Sequence, residues 1–222
     1  MTATVAWKWA TRSRRWLGLI GASTLAIGGL GAEQAAAAPS QATARSILAR
    51  LVELPSRYEV GLDYRNDIDP TLPVIQEDNI SETGLTPPSL WWNRDQLPNS
   101  WGQWRLIRNW AAFRSDSTGH AIVDLRIDSQ YWDRLTAFEK YAFLNQIGTT
   151  AQSYGYQARI YRSLDLIGVY ACDFSGHPEL LTRPGTEVPL DQLSGVYCAA
   201  ALGPFVTFDR DLLNEGGLFV PP

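Results

Sequence analysis

The run Cys172-Asp173-Phe174-Ser175-Gly176-His177 places a thiol, a carboxylate, a hydroxyl and an imidazole within six residues. These are the parts of a nucleophilic hydrolase, in which a base within hydrogen-bond reach activates the nucleophile and a third group orients the base. Such groups ordinarily converge from distant positions, and six consecutive residues at the end of a strand do not fold onto one another. Cys198 offers Cys172 a different role. In an oxidising compartment an isolated cysteine pair is most simply a disulfide, here closing a loop of about 27 residues worth roughly 3 kcal/mol. Two buried free thiols are the alternative. Two cysteines and two histidines, His120 and His177, could count to four metal ligands, but no short paired spacing supports a site. The chain has no Gly-x-Ser-x-Gly elbow, no His-Glu-x-x-His pair and no dinucleotide-binding glycine fingerprint. No catalytic residue, metal or cofactor is therefore assigned.

Asp124 and Asp128 form the second constellation, flanking Arg126 on one strand. Carboxylates four residues apart on a strand are about 13 Å apart, beyond the usual separation of paired glycosidase acids. The plain reading is a solvated sheet face on which Arg126 balances the two acids.

Aromatic residues make the denser signal. Trp91, Trp92, Trp101, Trp104 and Trp110 fall within twenty residues, interleaved with Arg94, Arg105 and Arg108. Tryptophan offers a large flat apolar surface, arginine stacks on it, and both are enriched at interface hot spots. Three uses stay open: filling of the core, a protein interface, or a platform on which sugar rings stack. Trp91, Trp92, Arg94, Trp101, Trp104 and Arg105 are the candidates for contact with a partner.

The elements that would position these groups follow from periodicity. Residues 40–54 predict an amphipathic helix with Ile47, Leu48, Leu51, Val52 and Leu54 on one side, ended by Pro55. Residues 61–90 lose periodicity and carry turn formers, which predicts an extended arm over the domain. A strand is expected over 105–113, then a turn at Ser115–Gly119. Residues 121–127 alternate, with Ala121, Val123, Leu125 and Ile127 on a buried face and Ile122, Asp124 and Arg126 on a wetter one.

Thr136 with Glu139 is a capping box, and Ala137, Tyr141, Leu144, Ile147, Gly148, Ala151 and Tyr154 form a helical stripe closed by Gly155. Strands follow at 156–162, at 166–174 (apolar on both faces, hence central) and at 195–201. The expected fold is α+β, a small mixed sheet with one main helix on one face, plus an N-terminal helix and an extended arm. The stretch from the second strand through the helix to the third suits a right-handed crossover.

The first forty residues read as an address. Arg12, Arg14 and Arg15 precede an uncharged apolar run from Trp16 to Leu30 and a small-residue stretch. Ala35 and Ala37 suit the pockets of a signal peptidase, with cleavage before Ala38. The run is shorter than the roughly 20 residues that span a bilayer, so no membrane insertion is expected after the leader is removed. Ser13-Arg14-Arg15-Trp16-Leu17 also resembles a twin-arginine export signal, and the Sec and twin-arginine routes stay open. The expected organisation is a leader over 1–37, the N-terminal helix and arm over 38–89, and an α+β core over 90–222. The whole chain has a formal charge of −4. Its leader carries four basic residues against one acid, so the remainder stands at −7. That charge, with no basic run, argues against nucleic acid and anionic membrane surfaces as partners. Lys140 is the only lysine past the leader, which removes Schiff-base and P-loop chemistry.

One stretch is also familiar in its wording: Leu90-Trp91-Trp92, then Arg105-Leu106-Ile107-Arg108-Asn109-Trp110, Val123-Asp124-Leu125, Tyr131-Trp132, Phe143-Leu144-Asn145-Gln146-Ile147-Gly148-Thr149 and Tyr154-Gly155-Tyr156. Over about residues 88–175 it resembles a family of exported cyanobacterial proteins of unknown function. The resemblance implies the thylakoid lumen or the periplasm as destination. The functional expectation is a non-catalytic accessory domain that binds another protein. The alternatives are a lumenal or periplasmic hydrolase using Cys172 or His177, and a cell-wall glycan binder.

Overall fold

Strand pairing in this computed structural model runs in sequence order, and the chain is described over residues 39–55, 67–72, 74–76 and 89–205. The expected cleavage residues Ala35, Ala37 and Ala38, and most of the expected arm, lie outside the described residues. The strands are β1 (Ile75–Gln76), β2 (Ile107–Arg114), β3 (Ala121–Ile127), β4 (Gln157–Arg162), β5 (Asp165–Asp173) and β6 (Tyr197–Leu202). They form one six-stranded sheet, antiparallel throughout except for the parallel pair β3–β4. The fold is α+β, as its sequence pattern predicts.

The parallel pair needs a crossover, and two helices supply it, α3 (Ser129–Trp132) and α4 (Ala137–Ser153). Thr136 and Glu139 close the capping box at the start of α4, and Gly155, at φ +77°, follows its end. Phe143, Leu144, Ile147, Gly148 and Ala151 form the buried stripe of α4. The stripe begins a turn later than the sequence suggests, for Ala137 is exposed and Phe143 takes its place in the core. Gly148 sits directly on Tyr170 of β5, and a Cβ at that position would overlap the phenol ring.

The other sheet face is not wet. Helix α1 (Gln41–Glu53) packs on it through Ala44, Ile47, Leu48 and Leu51, against Phe113, Ile122, Val169, Ala171 and Ala199. Val123, Tyr170, Cys172 and Ala200 alternate with these along the same strands and pack with α4. Strand β3 is therefore buried on both faces, and the expected solvated face around Asp124 is corrected: Asp124 is fully buried. Its partner is Arg159, its opposite number in the parallel register of β4. Arg159 Nε donates to Asp124 Oδ1 at 2.7 Å and its Nη2 to Oδ2 at 2.8 Å. The guanidinium also donates to the carbonyls of Leu51, Leu54 and Pro55, closing the C-terminal end of α1. Burial opposes its charge, but the facing Asp124 carboxylate, together with Tyr161 and Asp67, outweighs that and raises the Arg159 pKa. Asp128 caps α3 and accepts from Arg108.

The start of α1 is held just as firmly. Ser40 caps it through Thr43, and the Ser40 amide donates to the Asp173 carboxylate at 2.9 Å. Burial works to raise the Asp173 pKa, but hydrogen bonds from Ser175, Ser40 and Thr43 prevail and hold it below the usual carboxylate range. A carboxylate thus meets the positive end of the helix dipole and a guanidinium the negative end. From the expected arm, Asp67 reaches the β2–β3 turn, accepting from Ser115 Oγ and from the Ser117 amide.

Candidate functional site

The tryptophans divide into two groups. Trp110 and Trp101 are core residues, Trp101 standing edge-on to Phe143 and donating from Nε1 to Glu139 Oε1. Trp101 is thereby corrected from a contact candidate to a packing residue, because α4 offers its indole both an apolar ring and a hydrogen-bond acceptor. Helix α2 (Ser89–Asp95) carries the next two. Trp91 leans edge-on against Trp110 at 4.9 Å between centroids, and Arg94 covers its ring at 3.9 Å. Trp92 is 63 % exposed. Trp104, on the 3-10 turn Gln103–Arg105, is 53 % exposed with the Arg105 guanidinium 5.2 Å from its ring centre. Sequence reasoning missed Phe138, which is 80 % exposed in the first turn of α4. The signal was present, since Phe138 falls off the apolar stripe of its own helix.

The chemistry suggested by Cys172 and His177 is not assembled. Cys172 and Cys198 face each other across β5 and β6 and are joined as a disulfide, with 4.0 Å between their Cα atoms. A bridged sulfur is no nucleophile, so a hydrolase built on Cys172 loses its thiolate. His177 precedes α5 (Pro178–Thr182), and both ring nitrogens are engaged, Nε2 with the Ser194 carbonyl at 3.1 Å and Nδ1 with Glu179 at 2.9 Å. The Ser194 carbonyl, then Glu179, raise its pKa. An imidazolium donating to both partners serves as a clip between α5 and the approach to β6. His120 departs the other way: burial, then Arg50 and Arg114, lower its pKa.

Two concavities deserve comparison. One of about 360 Å³ lies among Ile75, Phe113, Arg114, Tyr156 and Arg183. Its phenol, Tyr156, is pushed by burial up to about 12, far from a working acid or base at neutral pH. The other, about 290 Å³, lies beside the last turn of α4, where Trp92 and Leu190 meet Thr149, Thr150, Tyr154 and Glu187. There Tyr154 Oη donates to Glu187 Oε2 at 3.1 Å. The cleft brings an exposed indole, hydroxyls and a carboxylate together from three separate segments. Thr149, Thr150 and Glu187 carried no sequence signal, since α4 and the Pro-rich segment after α5 meet only in the folded chain.

Among the described residues, no cluster of three or more metal-ligating side chains occurs and no helix is long and apolar enough to cross a membrane. No family model, curated protein or solved structure matches the chain.

Proposed function

We propose that this chain is an exported, non-catalytic accessory domain of the thylakoid lumen or periplasm that acts by binding another protein. The observation that carries the reading is the exposure of Trp92, Trp104 and Phe138 on a domain that buries Trp101, Trp110 and Trp132. Aromatic rings of this size left in water, with an arginine beside one of them, are the usual anchors of a protein interface. Export rests on the leader pattern and on the cysteine pair, which a disulfide-permitting compartment would keep oxidised. The compartment itself follows from the resemblance to exported cyanobacterial proteins.

Affinity recovery from source membranes tests the reading. Double substitution Trp92→Ala and Trp104→Ala is expected to abolish partner recovery while the circular dichroism spectrum and melting temperature stay near those of the parent. His177→Ala, in a protein still folded, is expected to leave recovery unchanged. Loss of recovery with His177→Ala and none with the tryptophan pair would reverse the assignment in favour of a site at His177. N-terminal sequencing of protein from the native host is expected to find Ala38 or Pro39 first, and a membrane species retaining Trp16–Leu30 would contradict the leader.

A further inference from the structure

The cleft at the end of α4 has a chemical bias that its shape alone does not reveal. Helix α4 ends at Ser153 and has no basic residue in its last turn, so the negative end of its dipole lacks a positive side chain there. Three hydroxyls line the cleft on this turn, and each gives its single proton to a helix carbonyl. Thr149 Oγ1 donates to Asn145 O at 2.6 Å, Thr150 Oγ1 to Gln146 O at 3.0 Å, and Ser153 Oγ to Thr150 O at 2.8 Å. What remains on all three is lone pairs. Glu187 adds a formal negative charge, steadied by the hydrogen bond from Tyr154. Trp92 supplies an exposed aromatic wall.

From this we infer that the cleft receives an arginine side chain of the partner protein; the inference rests on the protein-binding reading above. A guanidinium is flat enough to stack on Trp92 and carries five N–H donors around its edge for the hydroxyl oxygens and the Glu187 carboxylate. An ammonium matches the charge but not the stacking. A sugar ring stacks but brings as many acceptors as donors to a wall where, Asn93 apart, the hydroxyls, the carboxylate and the helix end are weighted toward acceptors. Size points the same way: about 290 Å³ is at or below the smallest pockets that hold drug-sized ligands, and suits one side chain. The acidic balance of the chain past its leader, −7, favours approach of a basic partner.

The test uses ¹⁵N-labelled protein from Ala38 onward and four probes: blocked five-residue peptides with arginine, lysine or citrulline at the centre, and chitotriose. The arginine peptide is expected to move the Trp92 indole signal and the Thr149 and Thr150 amides, and citrulline, which keeps the shape without the charge, to bind at least about tenfold more weakly. Glu187→Gln, an exposed and isosteric change, is expected to weaken the arginine peptide about tenfold without altering the melting temperature. Equal binding of arginine and citrulline, chitotriose moving these signals while the arginine peptide does not, or no response to any probe would overturn the inference. Failure of the peptides while the tryptophan pair still controls partner recovery removes the arginine receptor and leaves the binding module standing. Arginine binding in a protein that recovers no partner keeps the receptor and removes the module.

Discussion

Arg159 ties two elements together, since its guanidinium joins a carboxylate on β3 to three carbonyls where α1 ends. Breaking a buried ion pair from one side leaves the other charge stranded, a loss of about 3 to 5 kcal/mol. Asp124→Asn is therefore expected to lower the urea midpoint by a corresponding amount, and Arg159→Lys to lower it too, because an ammonium cannot reproduce the planar fork. His177 makes a separate, pH-dependent contribution. Its folded pKa stands above the ordinary value of 6.5, so its bonds to Ser194 and Glu179 stabilise the protein fully below that value and fade as pH rises through the folded pKa. His177→Gln should accordingly destabilise at about pH 5.5 and have little effect at about pH 9, as read by urea unfolding at both values. Sequence reading placed Asp124 in water because alternation reveals that a face differs, not what covers it. The partner lies 35 residues along the chain and the covering helix about 70 residues back, and neither leaves a local mark.

At the scale of elements, the legible parts were those specified by their own residues. The capping box of α4 and the proline that ends α1 are local devices, and the structure places both as expected; β3 is a strand as its alternation predicts, though buried on both faces. The short helices α2, α3 and α5 escaped, since seven, four and five residues are too few for a helical period to show. Close contact of α4 with the sheet was foreseeable at Gly148, and the Tyr170 ring now gives it a cause. Gly148→Leu is expected to cost at least about 1 to 3 kcal/mol and to depress the melting temperature by several degrees. An unchanged melting temperature would mean that α4 can lift from β5 at no cost. The β5–β6 pair carries the disulfide, and replacing both cysteines by alanine is expected to cost about 3 kcal/mol for a separation of 26 residues. Guanidinium unfolding of the double variant measures it.

For the whole molecule, the sheet is a shared wall between two cores that are built from different parts of the chain. The α4 side draws on residues between Ile75 and Ala200, many of them near neighbours in sequence. The α1 side joins a helix at residues 41–53 to four strands, of which β5 and β6 end more than a hundred residues later, and its two terminal anchors span 133 residues (Ser40 to Asp173) and 105 residues (Leu54 to Arg159). Sequence periodicity found α1, but its partners lay too far along the chain for any pattern to name them. Contacts between distant residues form late, because the intervening chain must first be ordered. The first of the described helices in chain order is then the one that docks last. Leu48→Ala, in the centre of the α1 contact, is expected to speed unfolding while changing the folding rate less than about twofold, and stopped-flow chevrons separate the two. A folding rate reduced in proportion to the stability lost would place α1 in the nucleus instead. Under the export proposed above, and by the Sec route of the two left open, this order would have a further effect. Until β4 and β5 have been made, neither Arg159 nor Asp173 exists to hold α1, so residues 41–53 would still lack both anchors while the chain was being threaded through a pore.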